Sequence, residues 1–307
     1  MNKFITFLTL LCITSFIHTG VAADSSNHES ISENSAKLSG YFGASLARNY
    51  LRENDGNNPD NVNASETRFD AGFSYALNGY TTILSGSYRD TNFSSSNDFD
   101  NGEDPDWQYG VGLRFLKELN KDTKLGFLVS YDDTRSQNEP IRDEYDVLLT
   151  GVEFQKFLHE NIFIGVQFGV ADKVRDGQDV DEGFNNGLFG RFVGSYFFSK
   201  HSLLTIDFEL AGCKNYIDSS DPGRFFGVGL NYQQQFKDDS PLTFIVYGQF
   251  DHISSTDEGD AADELILGIG FQYRFGAESP YALTRSGASL GLPKLPGRAS
   301  AWTEWAD

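Results

Sequence analysis

The sequence predicts an all-β chain: a transmembrane antiparallel up-and-down β-barrel of about twelve strands. Three observations predict it. Apolar and polar residues alternate with a period of two almost throughout Leu38–Phe275, and helical periodicity is nearly absent. The connections between alternating segments are short and long in turn. Aromatics make up 14% of the chain, and they recur near both ends of the segments, where a membrane wall meets water.

The clearest segment is the last, Leu265–Phe275. Leu265, Leu267, Ile269, Phe271, Tyr273 and Phe275 share one face; Glu264, Ile266, Gly268, Gly270, Gln272 and Arg274 share the other. Successive side chains of a strand point to opposite faces, so this ribbon has one greasy side and one small or polar side. Taken in order, the first segment, about Leu38–Tyr50, sets Leu38, Phe42, Ala44 and Leu46 against Ser39, Gly43, Ser45 and Asn49. The second, Thr67–Leu77, sets Phe69, Phe73 and Tyr75 against Arg68, Asp70 and Ser74, and Asn78-Gly79 then signals a hairpin. The third, Tyr80–Arg89, sets Leu84 and Tyr88 against Ser85, Ser87 and Arg89. The fourth, Trp107–Glu118, sets Tyr109, Val111, Leu113 and Phe115 against Gln108, Gly110, Gly112 and Arg114.

In the fifth, Leu125, Phe127, Val129 and Tyr131 form the apolar face. The sixth, Asp143–Leu158, changes face near Gly151, from Val147 and Leu149 to Val152 and Phe154, which a β-bulge would explain. The seventh sets Ile162, Ile164, Val166 and Phe168 against Gly165, Gln167 and Gly169; the eighth sets Leu188, Phe192, Tyr196 and Phe198 against Arg191 and Ser195. The ninth sets Leu204, Ile206, Phe208 and Leu210 against Thr205, Asp207 and Glu209. The tenth sets Phe226, Val228, Leu230 and Tyr232 against Gly227, Gly229, Asn231 and Gln233, and the eleventh sets Leu242, Phe244, Val246 and Phe250 against Thr243, Tyr247, Gln249 and Asp251. Short turns fall near 78, 120, 160, 200 and 239, and long polar loops at 51–66, 90–106, 132–143, 173–184, 214–223 and 252–263. This rhythm puts both chain ends on the short-turn side. Phe69, Trp107, Tyr109, Tyr131 and Phe226 would form one aromatic girdle, and Tyr80, Phe115, Phe157, Phe198, Phe236 and Phe275 the other.

The chain divides into four parts. Residues 1–23 read as a signal peptide, with Lys3, an apolar run Phe4–Ile17, and small residues Val21-Ala22-Ala23 before the cut. Residues 24–36 are a Ser/Asn/Glu-rich flexible lead-in, 37–276 the barrel, and 277–307 a tail. Cys213 is then the single cysteine of the mature chain, so no intrachain disulfide forms, and it reads as a small buried residue.

Net charge is −20, which excludes nucleic acid as a partner. Much of the acid lies in loops: Asp98–Asp106, Asp176–Glu182 and Asp257–Glu264. Their spacing fails the EF-hand pattern. They read as solvated loops able to hold divalent cations weakly. No resident metal, cofactor or catalytic group is expected. His252 beside Asp251 is the histidine nearest the outer rim, but adjacent strand residues point apart, so Asp251 cannot orient it.

The chain resembles the Gram-negative outer-membrane β-barrel superfamily, more loosely its porin-like members, over about residues 36–276. Gly268–Phe275, alternating aromatics with a final Phe, resembles the C-terminal signal that such barrels present to the barrel-assembly machinery. The resemblance implies a bacterial outer-membrane location with both chain ends in the periplasm. Lipids and lipopolysaccharide become expected neighbours, with Arg89, Lys173 and Arg224 placed to meet lipopolysaccharide phosphates. Such barrels usually end at that Phe; here 277–307 follow, rich in Ala, Gly, Pro and Arg. A mostly disordered periplasmic tail is expected, with a segment threading the lumen as the alternative.

The polar face implies a lumen crossed by charge. Arg114, Arg191 and Arg274 are expected to face Glu153, Asp207 and Glu209 across a constriction. The expected function is porin-like passive diffusion of small hydrophilic solutes. The alternatives are a structural or adhesive barrel with a filled lumen and binding loops, and, behind it, an outer-membrane enzyme.

Overall fold

A computed structural model of the protein describes residues 36–54, 61–93, 105–136, 144–174, 184–214, 222–238, 240–255, 261–294 and 296. The segment read as a signal peptide, nearly all of the expected lead-in, most of the acidic loops and the end of the tail with Trp302 and Trp305 lie outside the described residues.

Twelve strands close a barrel in which each pairs antiparallel with its chain neighbours and β1 pairs with β12. They are β1 Lys37–Asn54, β2 Asn61–Leu77, β3 Tyr80–Phe93, β4 Pro105–Asn120, β5 Thr123–Ser136 and β6 Glu144–His159, then β7 Ile162–Lys173, β8 Gly187–Ser199, β9 Ser202–Cys213, β10 Gly223–Gln235, β11 Leu242–Ser255 and β12 Ala261–Phe275. Closure leaves no edge, so every strand finds a partner for its backbone N–H and C=O groups. Following the paired residues from Ser39 through each strand in turn, one circuit returns to β1 at Glu53. That stagger tilts the strands by about 40° to the barrel axis.

The wall is apolar outside and polar inside. Leu46, Phe168 and Leu188 are 63%, 61% and 65% exposed, while Arg114, Glu153 and Gln167 are at most 1% exposed. A water-soluble fold would reverse this order; only a surrounding hydrocarbon phase relieves a continuous apolar belt of that size. The faces read from period two therefore hold on nearly every strand. At the first turn Asn78 and Gly79 both adopt positive φ, 51° and 75°, as a two-residue hairpin of this kind demands.

β6 departs from expectation. Its register with β5 runs unbroken past Gly151, so no bulge sits there. Val147 and Leu149 simply point inward, fully buried, because the lumen itself has an apolar patch near the loop end. Leu128, Ala171, Phe184, Phe189, Cys213, Phe225 and Ile253 complete that patch. With β6 unbroken, Phe157 also points inward rather than joining the outer girdle.

The β1–β12 seam is locked by an aromatic plug on the outer wall. Phe275 packs on Phe42 and Phe73, both with ring centroids 5.8 Å away. Gly40 makes room: a Cβ there would collide with the Gly72 carbonyl oxygen and the Phe275 ring. Replacing Gly40 with Val is expected to block closure, leaving a protein that no longer shows the heat-dependent gel-mobility shift of a folded barrel. A normal shift with G40V would remove the seam argument.

Candidate functional site

The site is the lumen, and its main occupant is the chain's own tail. The expectation of a mostly disordered tail fails for residues 277–294, which run inside the barrel. A short helix, α1, spans Pro280–Ser286 and is followed by a 3-10 turn, Ala288–Leu290. Local chemistry starts and stops α1. Ser279 caps it, its Oγ accepting from the Ala282 N–H at 3.2 Å, and Pro280 occupies the first turn. Gly287, at φ 91°, ends it in the left-handed region. A seven-residue helix is too short to persist alone in water, so the wall must hold it.

The wall does so through the helix's open end. The last carbonyls of a helix lack intrahelical partners and carry partial negative charge. Lys124 Nζ donates to the Arg285 carbonyl (2.8 Å), Ser74 Oγ to Ser286 (3.4 Å), and Arg114 Nη1 and Nη2 to Gly287 (3.3 Å) and Ala288 (3.2 Å). Further on, Gln167 Nε2 donates to the Gly291 carbonyl at 3.1 Å, and the Lys294 N–H donates to Glu209 at 3.0 and 3.3 Å. Apolar contacts add to these. Tyr281 stands edge-on to Phe157 and Phe197, and Leu290 is buried among Phe157, Phe163, Val193, Phe197 and Leu203.

Arg285 latches the other side of α1. Its guanidinium lies 3.8 Å over the Phe157 ring and pairs with Asp122 in the β4–β5 turn at 2.7 Å. That pairing holds the Asp122 carboxyl below the usual carboxylate range. A carboxyl depressed in the folded state contributes its stabilisation above the ordinary value and loses it as pH falls through the folded one. Acidification below the usual carboxylate range of about 4 is therefore expected to loosen α1. Hydrogen exchange at residues 280–287 should rise in the wild type but change little more in Asp122→Asn. Equal acid sensitivity in both would rule out the latch.

At the level of the tail, the expected charged residues form a network along the wall rather than across the lumen. Glu153, Gln167, Arg191 and Glu209 are directly opposed on β6, β7, β8 and β9. Glu153 accepts from Arg114 (3.2 Å), Gln155 (2.5 Å) and Gln167 (2.7 Å), and Arg191 donates to Asp207 through Nε and Nη2 and to Gln167 through Nη1. Arg191 also pairs with Glu209 at 3.2 Å. Arg274 does not join. It is buried at the turn end, its Nη2 donating to the Ser240 carbonyl at 3.2 Å, and no carboxylate pairs with it among the described residues.

Sequence reasoning misses a second ionic group toward the loop end. Glu66 pairs with Arg68 and Arg89, Arg89 reaches Glu264 at 3.2 Å, and Asn49 donates to both acids at 3.0 and 2.9 Å. Period two places Asn49, Arg68, Arg89 and Glu264 on the inner face; what it lacks is the register between strands. Arg89 is therefore enclosed in the lumen and not presented to surrounding lipid. His252 pairs on the outer wall with Asp263 of β12, its register partner, at 2.7 Å, and the nearby Ser254 hydroxyl donates to the Arg224 carbonyl.

Between the tail and the opposite wall a cavity of about 240 Å³ remains. Tyr41, Arg68, Asp70 and Asp132 line it on one side, Arg191, Asp207, Glu209, Asn231 and Gln249 on another, and Leu292, Pro293 and Lys294 of the tail on the third.

No protein-family model matches the chain, and no curated protein is similar to it in sequence. Solved structures do share its architecture. An outer-membrane channel from Pseudomonas putida F1 superposes with a TM-score of 0.55 at 12% identity, covering 83% of this chain and 100% of that one. The translocator domain of the autotransporter NalP from Neisseria meningitidis gives 0.46 at 10% identity, over 89% and 96%. The KdgM porin gives 0.41 at 11% identity, over 75% and 99%. Superpositions as loose as these last two say nothing of function. The fold is that of the outer-membrane β-barrels.

Proposed function

We propose that this chain, built on the outer-membrane barrel fold, is a channel of the bacterial outer membrane for small hydrophilic solutes, narrowed by its own tail. The observation that carries the reading is the cavity left beside residues 289–294, whose lining sets Arg68, Asp70, Asp132, Arg191, Asp207 and Glu209 among apolar side chains. A pore that sorts solutes needs charge along its path without blockage of the path. Both chain ends lie in the periplasm in this reading, and the acidic loops face outward, where divalent cations would bridge them to lipopolysaccharide. Gly268–Phe275 would be read by the assembly machinery. Planar-bilayer recording of the refolded full chain is the test: small, discrete conductance steps are expected, and a folded barrel without them, with or without its tail, ends the channel reading.

The apolar patch around Phe184, Phe189 and Phe225 favours a second reading, a structural barrel with its lumen filled. That reading expects no conductance after tail removal, and retained surface binding that is lost when the 94–104 loop is shortened.

A further inference from the structure

The cavity beside the tail contains more acid than its own cations satisfy. Arg191 is committed to Asp207 and Glu209, and Arg68 pairs with Glu66 while lying 5.2 Å over the Tyr247 ring. Asp70 and Asp132 remain. Asp70 meets the Lys294 ammonium at 3.5 Å, a long contact made by a side chain 42% exposed. Asp132 is only 9% exposed, yet its Oδ2 has no hydrogen-bond donor among the described residues. The wall is shaped for it: a Cβ on Gly110, the neighbouring inward position of β4, would strike Asp132 Oδ1. A carboxylate removed from water without a donor is costly, so an ammonium group that brings N–H donors and positive charge would stabilise this placement.

The tail already offers one such group. Gly291–Lys294 enters beside Glu209, its backbone held there, and the Lys294 ammonium stands 3.5 Å from Asp70 in the cavity that Asp132 also lines. A flexible four-carbon stem with a compact ammonium is an imperfect but adequate stand-in for a free amine. We propose that Asp70 and Asp132 form a binding site for small organic cations bearing a primary ammonium group, and that Lys294 is its tethered occupant. Amines are then the solutes the lumen selects, a clause that rests on the channel reading; the binding itself does not.

The test uses the refolded full chain, with n-butylammonium as probe and n-butyrate as its control of equal size and opposite charge. Lys294→Gln should lower the amine concentration that blocks current by about tenfold, and Asp132→Asn should raise it by about tenfold, the loss of one charged hydrogen bond. Asp70→Asn should act in the same direction as D132N, and the heat-dependent mobility shift confirms that each variant is folded. Identical block in all variants, or equal block by n-butyrate, overturns the site and leaves the channel reading standing. If no variant conducts, the channel reading has failed, and calorimetric titration with n-butylammonium decides the site alone: the same order of affinities supports it, and equal affinities overturn it.

Discussion

Ending the chain after Phe275 is expected to leave a folded barrel with a several-fold larger conductance. The barrel closes without the tail, because β12 completes its pairing with β1 at Gly40–Phe275. Removing 276–307 frees the donors of Lys124, Ser74, Arg114 and Gln167 to water and opens the side of the lumen that α1 and Leu290 fill. Phe157, Phe163 and Phe197 would then face water, at about 25 cal/mol for each Å² exposed, so thermal stability should fall as conductance rises. Bilayer recording and the mobility shift together read both effects. A truncated barrel that is folded and conducts no better than the full chain would show that the tail does not narrow the path.

Arg114→Met is expected to destabilise the protein by about 3–5 kcal/mol, the usual cost of breaking a buried ion pair from one side. Arg114 is fully buried, donates to two tail carbonyls, and holds Glu153. Methionine fills similar space but leaves Glu153 with amide donors only, from Gln155 and Gln167, and leaves the Gly287 carbonyl a single long contact to Gln155. Neutralising the stranded acid should recover part of the loss, so the Arg114→Met/Glu153→Gln pair is expected to be more stable than Arg114→Met alone. Urea unfolding in lipid vesicles measures both. Tail protection in hydrogen exchange should fall in both variants, since the carbonyl contacts are lost either way. If Arg114→Met matches the wild type in midpoint, the ion pair contributes nothing measurable to the closed lumen.

Much of this architecture is legible from side-chain alternation. A strand that separates hydrocarbon from water must show its period on every second residue, so Phe168, Val228 and Ile269 mark the outer face without any knowledge of neighbours. Even Arg114, Arg191, Asp207 and Glu209 are placed inside by parity alone. Where parity meets an exception, the reading fails. Val147 and Leu149 are apolar and inward, and a rule that assigns apolar residues to lipid turns them into a bulge. The same rule misplaces Phe157.

What the sequence by itself determined is therefore the ribbon: which segments are strands, which side meets lipid, and which connections are short. These are local properties, set by the two-residue repeat of the backbone and by turn chemistry such as Asn78-Gly79. The tertiary structure alone decided who meets whom in the lumen. Arg191 finds Asp207 and Glu209, Arg89 finds Glu264, and Arg274 finds only a carbonyl, because register and closure bring distant residues together. It decided the tail as well. Residues 280–286 are too few to specify a helix in water, and they form one only where donors on the wall cap its carbonyls and aromatic side chains cover its apolar face.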